Sequence, residues 1–214
     1  MKKVYLRNDW INLTSKYSDN EELIVDMFNL IEKCYNSSFR YYHNLSHIEN
    51  MLSESENFRT NVSDYDSIIF AIWFHDIVYN VKKSDNEIKS AVIAEDFLNS
   101  INYDKIKLDK IKVLILKTKN HSLFDSNEDF DTKLFLDLDL LILGANNRLY
   151  RKYAENIRKE YSFVPDKIFN TERIKILEDF LNQEFTFRTE RFRKRYENIA
   201  RKNIKSEINF LSKV

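Results

Sequence analysis

One glycine (Gly144) and one proline (Pro165) in 214 residues constrain this chain more than any other feature. Tight hairpin turns draw on glycine for positive φ and on proline for a fixed φ, and a sheet of several antiparallel strands needs such a turn at every reversal. A chain this poor in both residues is expected to be all-α, with helices joined by Asn-, Ser- and Asp-rich loops. The same scarcity leaves no Pro/Gly-rich linker, so a single domain over residues 1–214 is expected. The 43% hydrophobic content is enough to fill a substantial core at this length.

Apolar positions recur at three- and four-residue steps over 21–35, 46–57, 64–79, 86–99, 105–119, 131–143, 147–161, 166–182 and 188–212. These spacings predict nine helices. The one strand candidate is LFLDLDLLIL (134–143), whose middle alternates. Its leucine richness and near absence of β-branched residues favour a helix, with Gly144 as the C-cap. The last segment reads as a packed terminal helix with a solvated basic face.

Charge and cysteine content narrow the function classes. The 34 basic and 34 acidic side chains balance, so no global field points to nucleic acid or to a membrane surface. A single cysteine, Cys34, excludes an internal disulfide framework and fits a reducing compartment. The opening MKKVYLRNDWINL has no apolar stretch behind its lysines, and no apolar run approaches the roughly 20 residues of a membrane span. The expectation is a cytoplasmic protein with no membrane partner.

Against that background AIWFHDIVYN (71–80) stands out, because a histidine and an aspartate sit inside an apolar and aromatic run. An ionised carboxylate cannot be buried there without a pairing group, hydrogen bonds or a metal. If 64–79 is one helix, His75 shares a face with Ala71, Ile72, Val78 and Tyr79, and Asp76 with Ile72, Trp73 and Tyr79. LFLDLDLLIL poses the same problem twice. Asp137 and Asp139 lie about 200° apart on a helix, so one site does not use both. Asp137 has Lys133 one turn back as a partner, whereas Asp139 lines up with Phe135, Leu136, Ile142 and Leu143. One divalent cation would satisfy His75, Asp76 and Asp139 together, with His47 as a further nitrogen ligand. Mixed imidazole and carboxylate ligation suits Mn²⁺, Fe²⁺, Co²⁺, Ni²⁺ or Zn²⁺ better than Ca²⁺ or a thiolate-held structural zinc.

The histidine of RYYHNLSH, the HD of AIWFHDIVYN and an aspartate of LFLDLDLLILG together resemble the H…HD…D pattern of the HD-domain superfamily of metal-dependent phosphohydrolases. The chain is most similar to the bacterial subgroup called predicted metal-dependent HD superfamily phosphohydrolases. DNEIKSA (85–91), TKNH (118–121), YRKYAENIRKEYSFVPD (150–166) and ENIARKNIKSEI (197–208) extend the likeness from about residue 40 to 208. The resemblance implies an all-α HD-domain fold, with a catalytic core of about 40–145 and further C-terminal helices over about 147–212. It implies a divalent transition metal on His47, His75, Asp76 and Asp139. It also implies hydrolysis of a phosphate ester or anhydride in a small-molecule substrate, often a nucleotide.

Further residues gain roles within that expectation. Glu87 is a candidate general base or acid, and it also stands three residues after Ser84 with capping-box spacing. His121 is a candidate for acid help, a second metal or a phosphate oxygen; its structural alternative is a cation at a helix C-terminus. Arg40 and Arg158 are substrate-binding candidates because a guanidinium can grip two phosphate oxygens, with Lys117, Lys119 and Arg201 behind them. His43 contacts substrate or makes a structural hydrogen bond, and Asn44 as an N-cap would leave it in the preceding loop. Tyr150, Tyr153 and Tyr161 are expected to pack. Two other functional classes fit the same residues: a nucleotide-binding regulatory module without turnover, and a di-iron oxygenase with His43 and His121 as extra ligands.

Overall fold

The computed structural model describes residues 2–121 and 127–213, and among them the chain is helical with no strand. Contacts divide it into two compact units, Met1–Lys119 and Asn120–Val214.

The first unit contains α1 (Lys2–Thr14), α2 (Glu21–Tyr35), α3 (Leu45–Ser55) with a 3₁₀ turn at Glu56–Phe58, α4 (Tyr65–Phe74), α5 (Asn86–Ser100) and α6 (Lys105–Lys117). Its centre is α4. Every residue from Ser67 to Phe74 is buried, and the helix is apolar all round because α3, α5 and α6 surround it. Trp10 meets Phe70, Trp73 and Phe74 edge to face with centroids 5.7–6.2 Å apart, and its indole N–H donates to the Ile24 carbonyl at 2.9 Å. The helix that carries Trp10 was absent from the sequence expectation. Leu6, Trp10 and Leu13 nonetheless recur at helical spacing, and all three are buried.

Polar caps do the work that glycine and proline do in other chains. Asn20, Asn44, Asp64 and Asp104 each accept a hydrogen bond from a backbone N–H in the first turn of the helix that follows.

The second unit contains α7 (Phe130–Asp139), a 3₁₀ segment at Leu140–Gly144, α8 (Asn147–Glu160), α9 (Asp166–Asn182) and α10 (Glu190–Leu211). LFLDLDLLIL is therefore helical, as expected, although its last turns tighten to 3₁₀ geometry. The reason for Gly144 differs from the expected C-cap. Its φ is not positive, and a Cβ there would lie 2.5 Å from Cβ of Tyr196 on α10. Glycine is needed for this close approach between the 3₁₀ segment and α10. Asn203 fastens the same contact by donating to the carbonyls of Leu143 and Ala145. Tyr150 packs as expected, with its hydroxyl donating to Glu207, which also accepts from Arg173.

Candidate functional site

His47 owes its place to the cap on α3. The Asn44 side chain accepts from Ser46 N at 2.9 Å, which starts the helix and sets His47 in its first turn with Leu45, Ile48 and Met51 on the buried side. His43 is left in the preceding loop. There its ring stacks on Tyr79 with centroids 4.3 Å apart, and its carbonyl accepts from Arg40.

The HD doublet lies past the end of its helix, not on a helical face. α4 stops at Phe74, with His75 as the C-cap, so the carbonyls that follow need partners from elsewhere. The His75 ring takes Ile72 O at 3.0 Å through Nδ1. Tyr35, on α2, donates its hydroxyl to Trp73 O and accepts from Asp76 N. Arg40 donates from Nη1 to Asp76 O at 2.6 Å and from Nη2 to Ile77 O at 2.9 Å. Ser90 on α5 receives Val78 N.

These constraints aim three donors. A carbonyl only accepts, so His75 Nδ1 carries the hydrogen, and the neutral ring presents its lone pair at Nε2. That atom lies 3.3 Å from Nε2 of His47 and 3.3 Å from Oδ2 of Asp76. His47 Nδ1 lies 3.2 Å from the Tyr42 hydroxyl, which serves either tautomer. A single hydrogen on His47 answers one of the two contacts at His75 and leaves two acceptors facing each other in the second. One alternative is an imidazolium on His75, which burial opposes and the adjacent Asp76 carboxylate favours. A cation satisfies both contacts. Metal–ligand bonds of about 2.1 Å at tetrahedral or octahedral angles set neighbouring donors about 3.0–3.4 Å apart, and each of the two pairs at His75 has that spacing.

In the second unit the two aspartates of LDLD have separate duties. Asp137 is 0% exposed and does not use Lys133. Its carboxylate accepts from Arg188 N at 2.6 Å, Thr189 N at 2.7 Å and Thr189 Oγ1 at 2.7 Å, at the N-terminus of α10. Burial outweighs these three donors and pushes its carboxyl up to about 6. Asp139 instead faces His121, whose Nε2 lies 2.9 Å from Oδ2. The Arg188 guanidinium holds the His121 carbonyl at 2.8 Å, and His121 Nδ1 is buried with no hydrogen-bond partner among the described residues. His121 lies beyond the end of α6 at Lys117, so the C-terminal-cation reading does not apply to it.

The remaining candidates lie elsewhere. Glu87 is in the first turn of α5, with Oε2 buried and no hydrogen-bond partner among the described residues. The capping box with Ser84 does not form, because the helix starts one residue later, with Asp85 in the cap position. Arg158 ties α8 to α9 through Asp166, Tyr161 O and Val164 O, and it lines a cavity of about 730 Å³ within the second unit. Arg201 pairs with Glu197 and donates to three carbonyls, those of Leu181, Gln183 and Glu184. Lys119 donates to Ser84 O. Sequence reasoning missed Tyr35, Tyr42 and the Asp137–Thr189 cap. Only Tyr42 carried a local signal, being five residues before His47.

No family model, no curated protein and no solved structure matches the chain. The case for function therefore rests on the geometry and chemistry of these residues.

Proposed function

We propose that the chain is a metal-dependent phosphohydrolase that cleaves a phosphate ester or anhydride of a small molecule, a nucleotide being the favoured class. The observation that carries the reading is the placement of His75 Nε2 at 3.3 Å from both a second imidazole nitrogen and a carboxylate oxygen. In this reading His47, His75, Asp76 and Asp139 hold the ion, the four ligands that the H…HD…D resemblance assigns. The mixed donors select Mn²⁺, Fe²⁺, Co²⁺, Ni²⁺ or Zn²⁺. When bound, such an ion polarises a phosphoryl oxygen and brings a water's pKa toward neutrality.

The chain's own residues supply the rest. Ile72 O fixes the tautomer of His75 and so directs its lone pair inward. Asp139 orients His121, which in this reading is the proton donor to the leaving oxygen. Glu87, with a buried and unpartnered carboxylate oxygen, is the second proton carrier of this reading.

The test is phosphate release from a panel of nucleoside mono-, di- and triphosphates and a chromogenic phosphomonoester, with Mn²⁺ or Co²⁺ added. Wild type should turn over at least one substrate class, and His75→Ala should lose turnover by at least about 1,000-fold while keeping its helical circular dichroism. Saturable nucleotide binding with no product in any metal would instead establish the binding-module reading.

A further inference from the structure

We infer that Arg40 is a positioning residue of the metal site and not a phosphate ligand; the inference rests on the metal-binding reading above and deepens it. The helix that should carry His75 and Asp76 ends at Phe74, so the turn that holds the doublet has no regular backbone ladder of its own. Its polar groups are nonetheless matched in series. His75 N goes to Ala71 O, His75 Nδ1 to Ile72 O, Tyr35 Oη to Trp73 O and Ile77 N to Phe74 O. The carbonyls of Asp76 and Ile77 are both taken by Arg40.

Only a planar fork spans two consecutive carbonyls in this way. A lysine ammonium is a point donor on a flexible stem and cannot hold both in one plane. The guanidinium is also fixed from its faces, 4.9 Å from the Tyr35 ring centroid and 5.4 Å from that of Tyr79, and the residue is 7% exposed. Both guanidinium Nη atoms donate to backbone carbonyls, and Nε is buried with no hydrogen-bond partner among the described residues, so the fork that would grip a phosphate is already taken up by the turn. Tyr79 in turn stacks on His43, and Tyr35 braces Asp76 N. Tyr35, Arg40, Tyr79 and His43 thus form a layered support behind the ligand-bearing turn. Its effect is to set the Asp76 carboxylate beside His75 Nε2 before any ion arrives.

The experiment is a Co²⁺ titration of the full chain followed by visible absorption, with wild type, Arg40→Lys, Arg40→Ala and Tyr35→Phe compared at equal helical content by circular dichroism. The inference expects Co²⁺ affinity to fall about 10-fold in Arg40→Lys and up to about 100-fold in Arg40→Ala, the range for groups that orient metal ligands. It also expects an altered Co²⁺ band in the folded variants, and recovery of Arg40→Ala when millimolar guanidinium is added. If Arg40→Ala does not fold, Arg40→Lys and Tyr35→Phe carry the same test, with a weakening of at least about 3-fold expected in each. Unchanged Co²⁺ affinity and spectrum in the folded Arg40 variants would overturn the inference. If inorganic phosphate also loses its effect on the Co²⁺ band, Arg40 is a phosphate contact instead. A wild-type protein that takes up no Co²⁺, Mn²⁺ or Zn²⁺ would overturn the metal reading itself, an outcome distinct from a site that binds metal without help from Arg40.

Discussion

The turn at 75–78 and the LDLD segment at 136–139 handle buried acids in opposite ways. Asp137 is completely enclosed, and the donors that meet it are all protein: two backbone N–H groups and one hydroxyl at the start of α10. Asp76 and Asp139 are less enclosed, with side chains 17% and 14% exposed, and each lies against an imidazole nitrogen. The deepest carboxylate is thus the one held by hydrogen-bond donors, and those at partial depth are the two that the proposed reading makes ligands. Burial alone does not mark a ligand. What marks it is the kind of neighbour: hydrogen-bond donors stabilise a carboxylate by themselves, whereas a nitrogen lone pair at 3.3 Å calls for a cation between.

The sharpest way to break this contrast is to remove each acid in turn. Asp137→Ala leaves the donors at Arg188 and Thr189 buried without an acceptor, and should cost about 3–5 kcal/mol in the urea midpoint of the metal-free protein. Asp139→Ala should cost within about 1 kcal/mol in the same metal-free state, since its partner is a partly exposed histidine. Equal losses would end the distinction.

A second substitution tests whether α10 fixes the region after LDLD. Gly144→Ala drives a methyl group into Tyr196, and should destabilise by about 1–3 kcal/mol. A neutral result would mean that the close approach to α10 relaxes freely.

The pH dependence separates the acids again. Asp137 titrates near 6 when folded and near the ordinary aspartate value of about 4 when unfolded. The folded state therefore holds this proton more tightly, and the contribution of Asp137 to stability falls as pH rises from about 4 to about 6 and levels off above that. Denaturant midpoints across this window should show the fall in wild type and lack it in Asp137→Asn. The smallest effect expected is that of Asn44→Ala, which removes the cap that starts the helix of His47 and should cost about 1 kcal/mol.

Much of this was legible locally. The bounds of α2 and α9 follow from apolar periodicity, and the role of Asn44 follows from cap chemistry over two residues. The rest depends on partners far along the chain. The spacing of apolar residues runs on to Tyr79, but the helix stops at Phe74, where Tyr35 and Arg40 satisfy the freed backbone from about forty residues earlier. Lys133 is the obvious local partner for Asp137, yet the actual donors are 51 and 52 residues away. Gly144 reads as a cap because helix ends favour glycine, while its actual reason, Tyr196, lies on another helix. The first helix has its apolar positions at Leu6, Trp10 and Leu13, but polar residues dilute the pattern. Three of the four proposed ligands, His75, Asp76 and Asp139, are conspicuous in the sequence because they sit in apolar runs, whereas His47 lies in the polar segment RYYHNLSH and joins them through the H…HD…D resemblance.

The most direct test is metal content by elemental mass spectrometry, on protein incubated with Mn²⁺, Fe²⁺, Co²⁺ or Zn²⁺ and then desalted. Wild type should be compared with Asp76→Ala, Asp139→Ala and Asp137→Asn. The account predicts at least about one transition-metal ion per chain in wild type and in folded Asp137→Asn, and its loss in Asp76→Ala and Asp139→Ala. No bound metal in wild type, or the same metal content in all four proteins, would contradict it.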